Sequence, residues 1–291
     1  VKWRIRIAWG TLIVLTLGMV ISWLVGGMLL APKPKTIGPP PAALPAEKIA
    51  LESESGSSIA GWHVPVADAS AVLVLAHGIR GSRLDLVKRA ILWHRAGYAI
   101  VMIDLQAHGE SPGQHITIGH LEQHDLRAAV AFAKTTYPDA RVGVLGMSMG
   151  GAAAIYAAPM GIDALVIESV YPNIRKAIRN RVAEHLGPFA GFPAFLLLAQ
   201  FKPRIGISPD TLRPIDRIAE VGCPIFVISG ADDSHTTAAE TQALFAAAAE
   251  PKELWLVPEA GHVDLYQAVS SDYETRLSEF WKRHLAAGLV K

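Results

Sequence analysis

Residues 141–151 read Arg141-Val142-Gly143-Val144-Leu145-Gly146-Met147-Ser148-Met149-Gly150-Gly151, an apolar run that ends on a glycine-flanked serine. A short run of this kind, apolar on both faces, reads as a buried parallel strand. The small residues Gly151 and Ala152-Ala153-Ala154 then open a helix able to pack tightly on the sheet. G-x-S-x-G placed between strand and helix is the pattern of a nucleophile elbow, whose turn forces the serine into a strained conformation. Glycine at 146 and 150 leaves room for the close contacts of that turn. Ser148 is expected at the top of a sheet, at a helix N-terminus that favours developing negative charge.

Outward from this stretch, short apolar runs alternate with amphipathic ones. Strands are expected at 47–53, 59–66, 71–76 (AVLVLA), 99–104 (AIVMID), 141–145, 164–167, 224–229 (PIFVIS) and 253–257 (ELWLV). Helices are expected at 82–96, 120–136, 149–158, 236–249 and 271–285. The alternation predicts an α/β fold with a doubly wound, mostly parallel eight-stranded sheet. It breaks once, between Tyr171 and Ile218, where a basic stretch and then an apolar one, residues 189–201, are inserted.

Open parallel sheets place their chemistry at the carboxyl ends of the strands. A serine hydroxyl needs a base to take its proton. Of the eleven histidines, His262 in Glu259-Ala260-Gly261-His262 follows the last strand and reaches the same sheet edge as Ser148. That histidine needs a carboxylate to fix its tautomer. The strand at 224–229 ends in Gly230-Ala231-Asp232-Asp233, which supplies one, and Ser148, Asp233, His262 is the chain order of this hydrolase arrangement. A tetrahedral oxyanion needs two backbone N–H donors. Met149 N–H is one candidate, and Ile79 N–H, in His77-Gly78-Ile79-Arg80-Gly81, is the other. His77 itself reads as a buried brace for that loop.

These residues resemble the α/β-hydrolase superfamily over most of the chain, from about Glu47 onward. The marks are HGIRG (77–81), DLQAHGES (104–111), GMSMGG (146–151), GADDSHT (230–236) and Gly261-His262. The chain looks most like the serine-aminopeptidase-like and monoacylglycerol-lipase-like branch. The G-x-x-D spacing of that branch matches Asp233 as the acid, with Asp232 as the alternative. The resemblance also implies that residues 171–218 form a small helical cap over the site. It implies no substrate.

Other clusters read as structural. His120 and His124 have metal-ligand spacing, but HLEQHD is not H-E-x-x-H, so a solvated helix face is the reading and no metal is expected. Glu168 reads as structural or pocket-lining, and Asp104, His108 and Ser111 as shaping a loop. Arg175, Lys176, Arg179 and Arg181 read as a solvated face, with anionic lipid head groups as the sharper alternative. Phe189, Phe192, Phe195, Leu196–Leu198 and Phe201 read as cap packing, or as an acyl pocket or bilayer contact.

The N-terminus differs in kind. Residues 7–31 carry no charge, long enough to cross the ~30 Å core of a bilayer with some tilt. A cleaved signal peptide is the competing reading. The run exceeds a secretory h-region, however, and Pro32 directly follows the one candidate cleavage site. Lys2, Arg4 and Arg6 against Lys33 and Lys35 favour a cytoplasmic N-terminus and a catalytic domain on the non-cytoplasmic side. Prolines at 32, 34, 39, 40, 41 and 45 predict an extended, semi-rigid spacer. The expected organisation is an anchor at 1–31, a linker at 32–46 and a hydrolase domain at 47–291 with its cap at 171–218.

With 27 basic and 26 acidic residues, the charge balance gives no case for nucleic acid as a partner. The single cysteine, Cys223, excludes an internal disulfide framework. The function expected is hydrolysis of an ester or thioester, of a small molecule or a lipid, through an acyl-enzyme on Ser148 and without a cofactor. The alternatives are a peptidase or amidase with the same triad, and a catalytically silent binding protein on this fold.

Overall fold

The structure is a computed structural model that describes residues 2–286. The outermost expected bounds, position 1 of the anchor and 287–291 of the domain, lie outside the described residues. The strands are β1 (Lys33–Pro34), β2 (Glu47–Glu52), β3 (Ser58–Val64), β4 (Ala71–Ala76), β5 (Ala99–Ile103), β6 (His108–Gly109), β7 (Arg141–Met147), β8 (Ala164–Glu168), β9 (Ile225–Gly230) and β10 (Lys252–Val257). Eight of them form one sheet in the order β10-β9-β8-β7-β4-β5-β3-β2. Only β3 pairs antiparallel, with β2 and β5; every other pair in the sheet is parallel.

The period of two along each strand divides the core. Val72, Val74 and Ala76 of β4 face one apolar layer; Leu73 and Leu75 face the other. The first layer is closed by α3 (Glu122–Thr136), α4 (Met149–Tyr156) and α8 (Ala238–Ala247), the second by α2 (Val87–Arg95) and α10 (Ser270–Leu285). The central strands are buried throughout, whereas β2 at the edge alternates and carries Glu47 and Lys48 outward. Between β4 and β7 the winding reverses, with Ala76 opposite Gly146. The loops after these two strands therefore stand side by side at the switch point, where open sheets hold their ligands.

The stretch between β8 and β9 carries α5 (Ile174–Leu186), α6 (Gly191–Leu198) and α7 (Phe201–Ile205). Helix α1 (Lys2–Leu30) is 29 residues long, about 43 Å at the helical rise, and leaves apolar side chains such as Trp9 and Leu24 exposed. It is docked on the insertion: Gln200 donates to the Ser22 carbonyl at 3.0 Å, and the Arg204 guanidinium stacks on Trp23 at 3.8 Å. Its last turn is held as well, with Arg80 donating to the Met28 carbonyl and the Ile116 amide to the Leu30 carbonyl, each at 2.9 Å.

The proline-rich stretch is extended at Lys33–Pro34 and is bound along the domain. Pro32 and Pro34 alternate with Lys33 and Lys35, whose amides donate to the Ala107 and Gly109 carbonyls at 2.7 and 2.8 Å. Farther on, Leu44 is buried in the core layer of α2 and α10. The segment is strapped along the domain because the residues between prolines keep their N–H groups.

Candidate active site

Ser148 follows β7 directly, with φ +48° and ψ −111°, a conformation few side chains adopt. Its amide donates to the Glu168 carbonyl on β8 at 2.7 Å, fixing the turn to the neighbouring strand. A Cβ on Gly146 would sit 2.6 Å from Gly151 Cα, and one on Gly150 would sit 2.6 Å from the His77 carbonyl oxygen. Neither backbone can retreat, so the elbow needs glycine at both positions. A Cβ on Gly78 would lie 3.5 Å from Ser148 Cβ, which shows how closely the 77–81 loop backs onto the serine. Ile79 lines the same cavity as Ser148, and Met149 opens α4, where amides have no partner within the helix.

The loop bearing Ile79 is braced by two histidines. His77 Nδ1 lies 2.7 Å from the Gly78 carbonyl oxygen and its Nε2 accepts from the Leu105 amide at 3.0 Å. His108 Nδ1 lies 2.9 Å from the Gln106 carbonyl oxygen and its Nε2 accepts from the Arg80 amide at 3.0 Å. Each ring thus donates from Nδ1 and accepts at Nε2, which requires the neutral form. Burial, followed by the neighbouring His108, pushes the His77 imidazole down to about 3. Asp104 ties the adjacent loop by accepting from the Arg83 and Glu110 amides at 2.7 and 2.8 Å, and Ser111 donates to the Asp104 carbonyl at 2.6 Å.

Asp233 and His262 meet across the ends of β9 and β10, with His262 Nδ1 2.8 Å from Asp233 Oδ2. Asp233 is only 3% exposed and also accepts from the Thr236 amide and hydroxyl and the His235 amide. Burial alone would raise its carboxyl; the His262 hydrogen bond and charge and the Thr236 donors outweigh it and hold the group at about 2. Its neighbour Asp232 is exposed. Ser148, His262 and Ile79 line one cavity of about 650 Å³. Ser148 and His262 are both half-buried, and among the described residues no hydrogen bond closes between them.

Further residues complete the surroundings that the sequence did not point to. Fully buried Arg89, in α2, reaches Glu168 at 2.9 Å and Asp264 at 2.8 Å, and donates to the Tyr273 hydroxyl at 3.0 Å. Asp264 caps α9 (Leu265–Ala268) two positions after His262, so this network anchors the His262 loop. Glu168 is accordingly structural. His235 stacks near His262, with ring centroids 4.7 Å apart.

His120 and His124 do not converge on a site: His124 lies 3.1 Å from Glu54, while Glu122 is buried on Thr117, Gly119 and Gln106. Among the described residues, no group of three potential metal ligands occurs. The basic cluster is not one face. Arg175 pairs with Asp210 at 2.8 Å, Lys176 and Arg179 are exposed, and Arg181 lines the cavity. Nor do the phenylalanines all pack: Phe201 is buried, but Phe189 is 82% exposed and Phe192 and Phe195 are each 60% exposed.

Residues 67–211 match the family described as serine aminopeptidase, S33. An uncharacterized protein of Mycobacterium tuberculosis is 29% identical over 236 residues, covering 78% of this chain and 77% of that one. The uncharacterized protein YqkD of Bacillus subtilis is 26% identical over 238 residues, covering 79% and 77%. Among solved structures, the Pyrococcus furiosus esterase Pf2001 superposes with a TM-score of 0.74 at 23% identity, over 88% of this chain and 99% of that one. The α/β hydrolase GrgF of Penicillium sp. sh18 gives 0.66 at 19% identity, over 84% and 100%. At such identities the structural likeness speaks to the fold. Taken with the family match and the strand-end loops, it means that this chain belongs to the α/β-hydrolase superfamily, as a hydrolase related to the serine aminopeptidases.

Proposed function

We propose that the chain is a membrane-anchored serine hydrolase that cleaves a carboxylic ester or thioester. The observation that carries the reading is the Asp233–His262 hydrogen bond, at 2.8 Å, on the wall of the cavity that Ser148 faces. With Nδ1 held by the carboxylate, His262 Nε2 is the nitrogen left to take the Ser148 proton as the hydroxyl attacks the carbonyl carbon. The resulting oxyanion is held by the Ile79 and Met149 amides. As the tetrahedral intermediate collapses, the His262 proton passes to the departing alcohol or thiol, leaving an acyl group on Ser148. A water activated by His262 then releases the acid and restores the serine. Asp233 stays ionised throughout and steadies the imidazolium.

An ester suits the cavity better than a peptide with a free amine. Its two carboxylates are engaged: Asp264 by Arg89 at 2.8 Å, and Asp85 by the Ser82 amide at 3.1 Å. The peptidase reading stands second, supported by the family description. In our reading α1 spans the membrane, with the catalytic domain on the non-cytoplasmic side and residues 171–218 as its cap. The exposed Phe189, Phe192 and Phe195 extend the lipid-facing surface of α1, to which the insertion is docked. The active-site mouth then lies close to the bilayer, since Arg80, beside Ile79, holds the last turn of α1.

A fluorophosphonate probe applied to membranes containing the full chain tests both parts. The expected result is an adduct on Ser148, absent in Ser148→Ala, on protein released by detergent but not by carbonate. Folded protein without the adduct would support a silent scaffold, and release by carbonate would remove the anchor. Turnover of p-nitrophenyl esters above that of aminoacyl anilides would separate esterase from peptidase.

A further inference from the structure

Arg181 stands apart from the other arginines. It sits midway along α5, half-buried, on the wall of the cavity that holds Ser148 and His262. Among the described residues it is the one non-exposed arginine with neither a hydrogen bond nor an ion pair. Burial lowers its pKa, against the opposing pull of the Asp233 carboxylate, Tyr171 and Glu184. Cations withdrawn from water are paired as a rule, because an unpaired one loses its hydration without return. Arg83 and Arg89 obey that rule with Asp104 and Glu168. No carboxylate of the cavity wall does the same for Arg181. Lys88, also on the wall, gives its ammonium to the neutral Gln267 amide oxygen at 3.0 Å.

We infer that the missing partner is part of the substrate: an ionised carboxylate or phosphate, carried by the ester that Ser148 attacks and bound by the Arg181 guanidinium, with Lys88 adding positive charge to the same cavity. The planar fork of a guanidinium fits either oxyanion through two parallel hydrogen bonds. This rests on the reading of Ser148 as nucleophile and narrows it to anionic esters. Both a soluble half-ester and an acidic lipid would present the required group.

The test compares p-nitrophenyl glutarate, which carries a free carboxylate, with neutral p-nitrophenyl pentanoate, using the full chain in detergent micelles. The wild type is expected to prefer the anionic ester. In Arg181→Met the ratio of kcat/KM for anionic over neutral ester should fall about 10-fold or more, the size of a lost charge-assisted hydrogen bond. The loss should appear mainly in KM, and Arg181→Lys should retain part of the preference. A parallel pair of mixed micelles, phosphatidate against diacylglycerol, distinguishes a lipid source from a soluble one: a preference in either pair supports the subsite. Equal turnover within both pairs, or a preference untouched in Arg181→Met, overturns it. Binding is read separately, through the rise in melting temperature caused by glutarate or inorganic phosphate in the wild type and its loss in Arg181→Met. If neither ester is cleaved, the hydrolase reading falls, and the absence of any such rise in the wild type would overturn the subsite as well.

Discussion

The loops on the sheet top and the layer above them, made of α1 and the β8–β9 insertion, are built on opposite terms. Below, charged groups meet their partners inside the protein: Asp233 has four donors, and Arg89 bridges Glu168, Asp264 and Tyr273. Above, Phe189, Phe192 and Phe195 face outward, and Arg181 has no hydrogen-bond or ion-pair partner among the described residues. The lower region is fixed by the chain itself, as a reacting geometry must be. The upper one is tied together too, by Gln200 on Ser22, Arg204 on Trp23 and Arg175 on Asp210, but it leaves its outward phenylalanines and Arg181 for contacts outside the chain. The contrast explains why two arginines of similar chemistry, Arg89 and Arg181, invite different experiments.

The largest effect belongs to Asp233, the proposed triad acid hydrogen-bonded to His262. Asp233→Asn should lower kcat by about 10³–10⁴-fold, because the amide favours the wrong imidazole tautomer and leaves the imidazolium without its counter-charge. Asp232→Asn, at an exposed position, should change it by no more than about two-fold. Ester turnover of both variants at one pH checks this. The reverse ranking would move the acid to position 232 and break the assignment of the sheet top.

Next in size is the buried cation. Arg89→Met leaves Glu168 and Asp264 without their counter-charge and should cost about 3–5 kcal/mol of stability, the range for removing one member of a buried pair. Adding Glu168→Gln should recover part of that loss, since one uncompensated charge disappears. Denaturant unfolding of the single and double variants measures the difference. An Arg89→Met protein as stable as the parent would show that the lower region is held by apolar packing alone.

Most of the sheet top was legible in the sequence, because a strand that ends on glycine and serine states its own direction and its own chemistry. Ser148 and Asp233 each follow such a strand and His262 follows the next one in the chain after Asp233, so their placement at one edge of the sheet is readable without coordinates. Arg89 gives no such sign: its partners lie 79 or more positions away, and nothing local distinguishes it from a solvated helix arginine. The linker's extended form is legible from its prolines, but its docking is not, because nothing local shows which carbonyls the amides of Lys33 and Lys35 will meet. Arg181 was legible but grouped wrongly. At about 100° per residue, Arg175 and Arg179 share one face of α5, while Arg181 is turned about 120° from Arg175. Helical phase would have separated it from the solvated cluster.

The smallest effect is a tilt of stability with pH that two buried groups of the lower region largely hide from each other. His77 is held at about 3, below its ordinary value of 6.5. Between those values the unfolded chain binds the proton and the folded one does not, so this group makes stability rise with pH. Asp125 accepts from the Gln106 amide at 2.8 Å, and burial, foremost, pushes it up from 3.8 to about 7. Between those values the folded chain holds the proton, so Asp125 makes stability fall as pH rises. The two slopes oppose each other from about pH 4 to 6.5. His77→Asn should therefore tilt the profile downward with rising pH relative to the parent, and Asp125→Asn should tilt it upward. Each tilt should be on the order of 1 kcal/mol per pH unit. Unfolding at pH 4.5, 5.5 and 6.5 in detergent reads both. Tilts of the same sign would mean that one of the two groups is solvated, and the brace beneath Ile79 would then be looser than its hydrogen bonds imply.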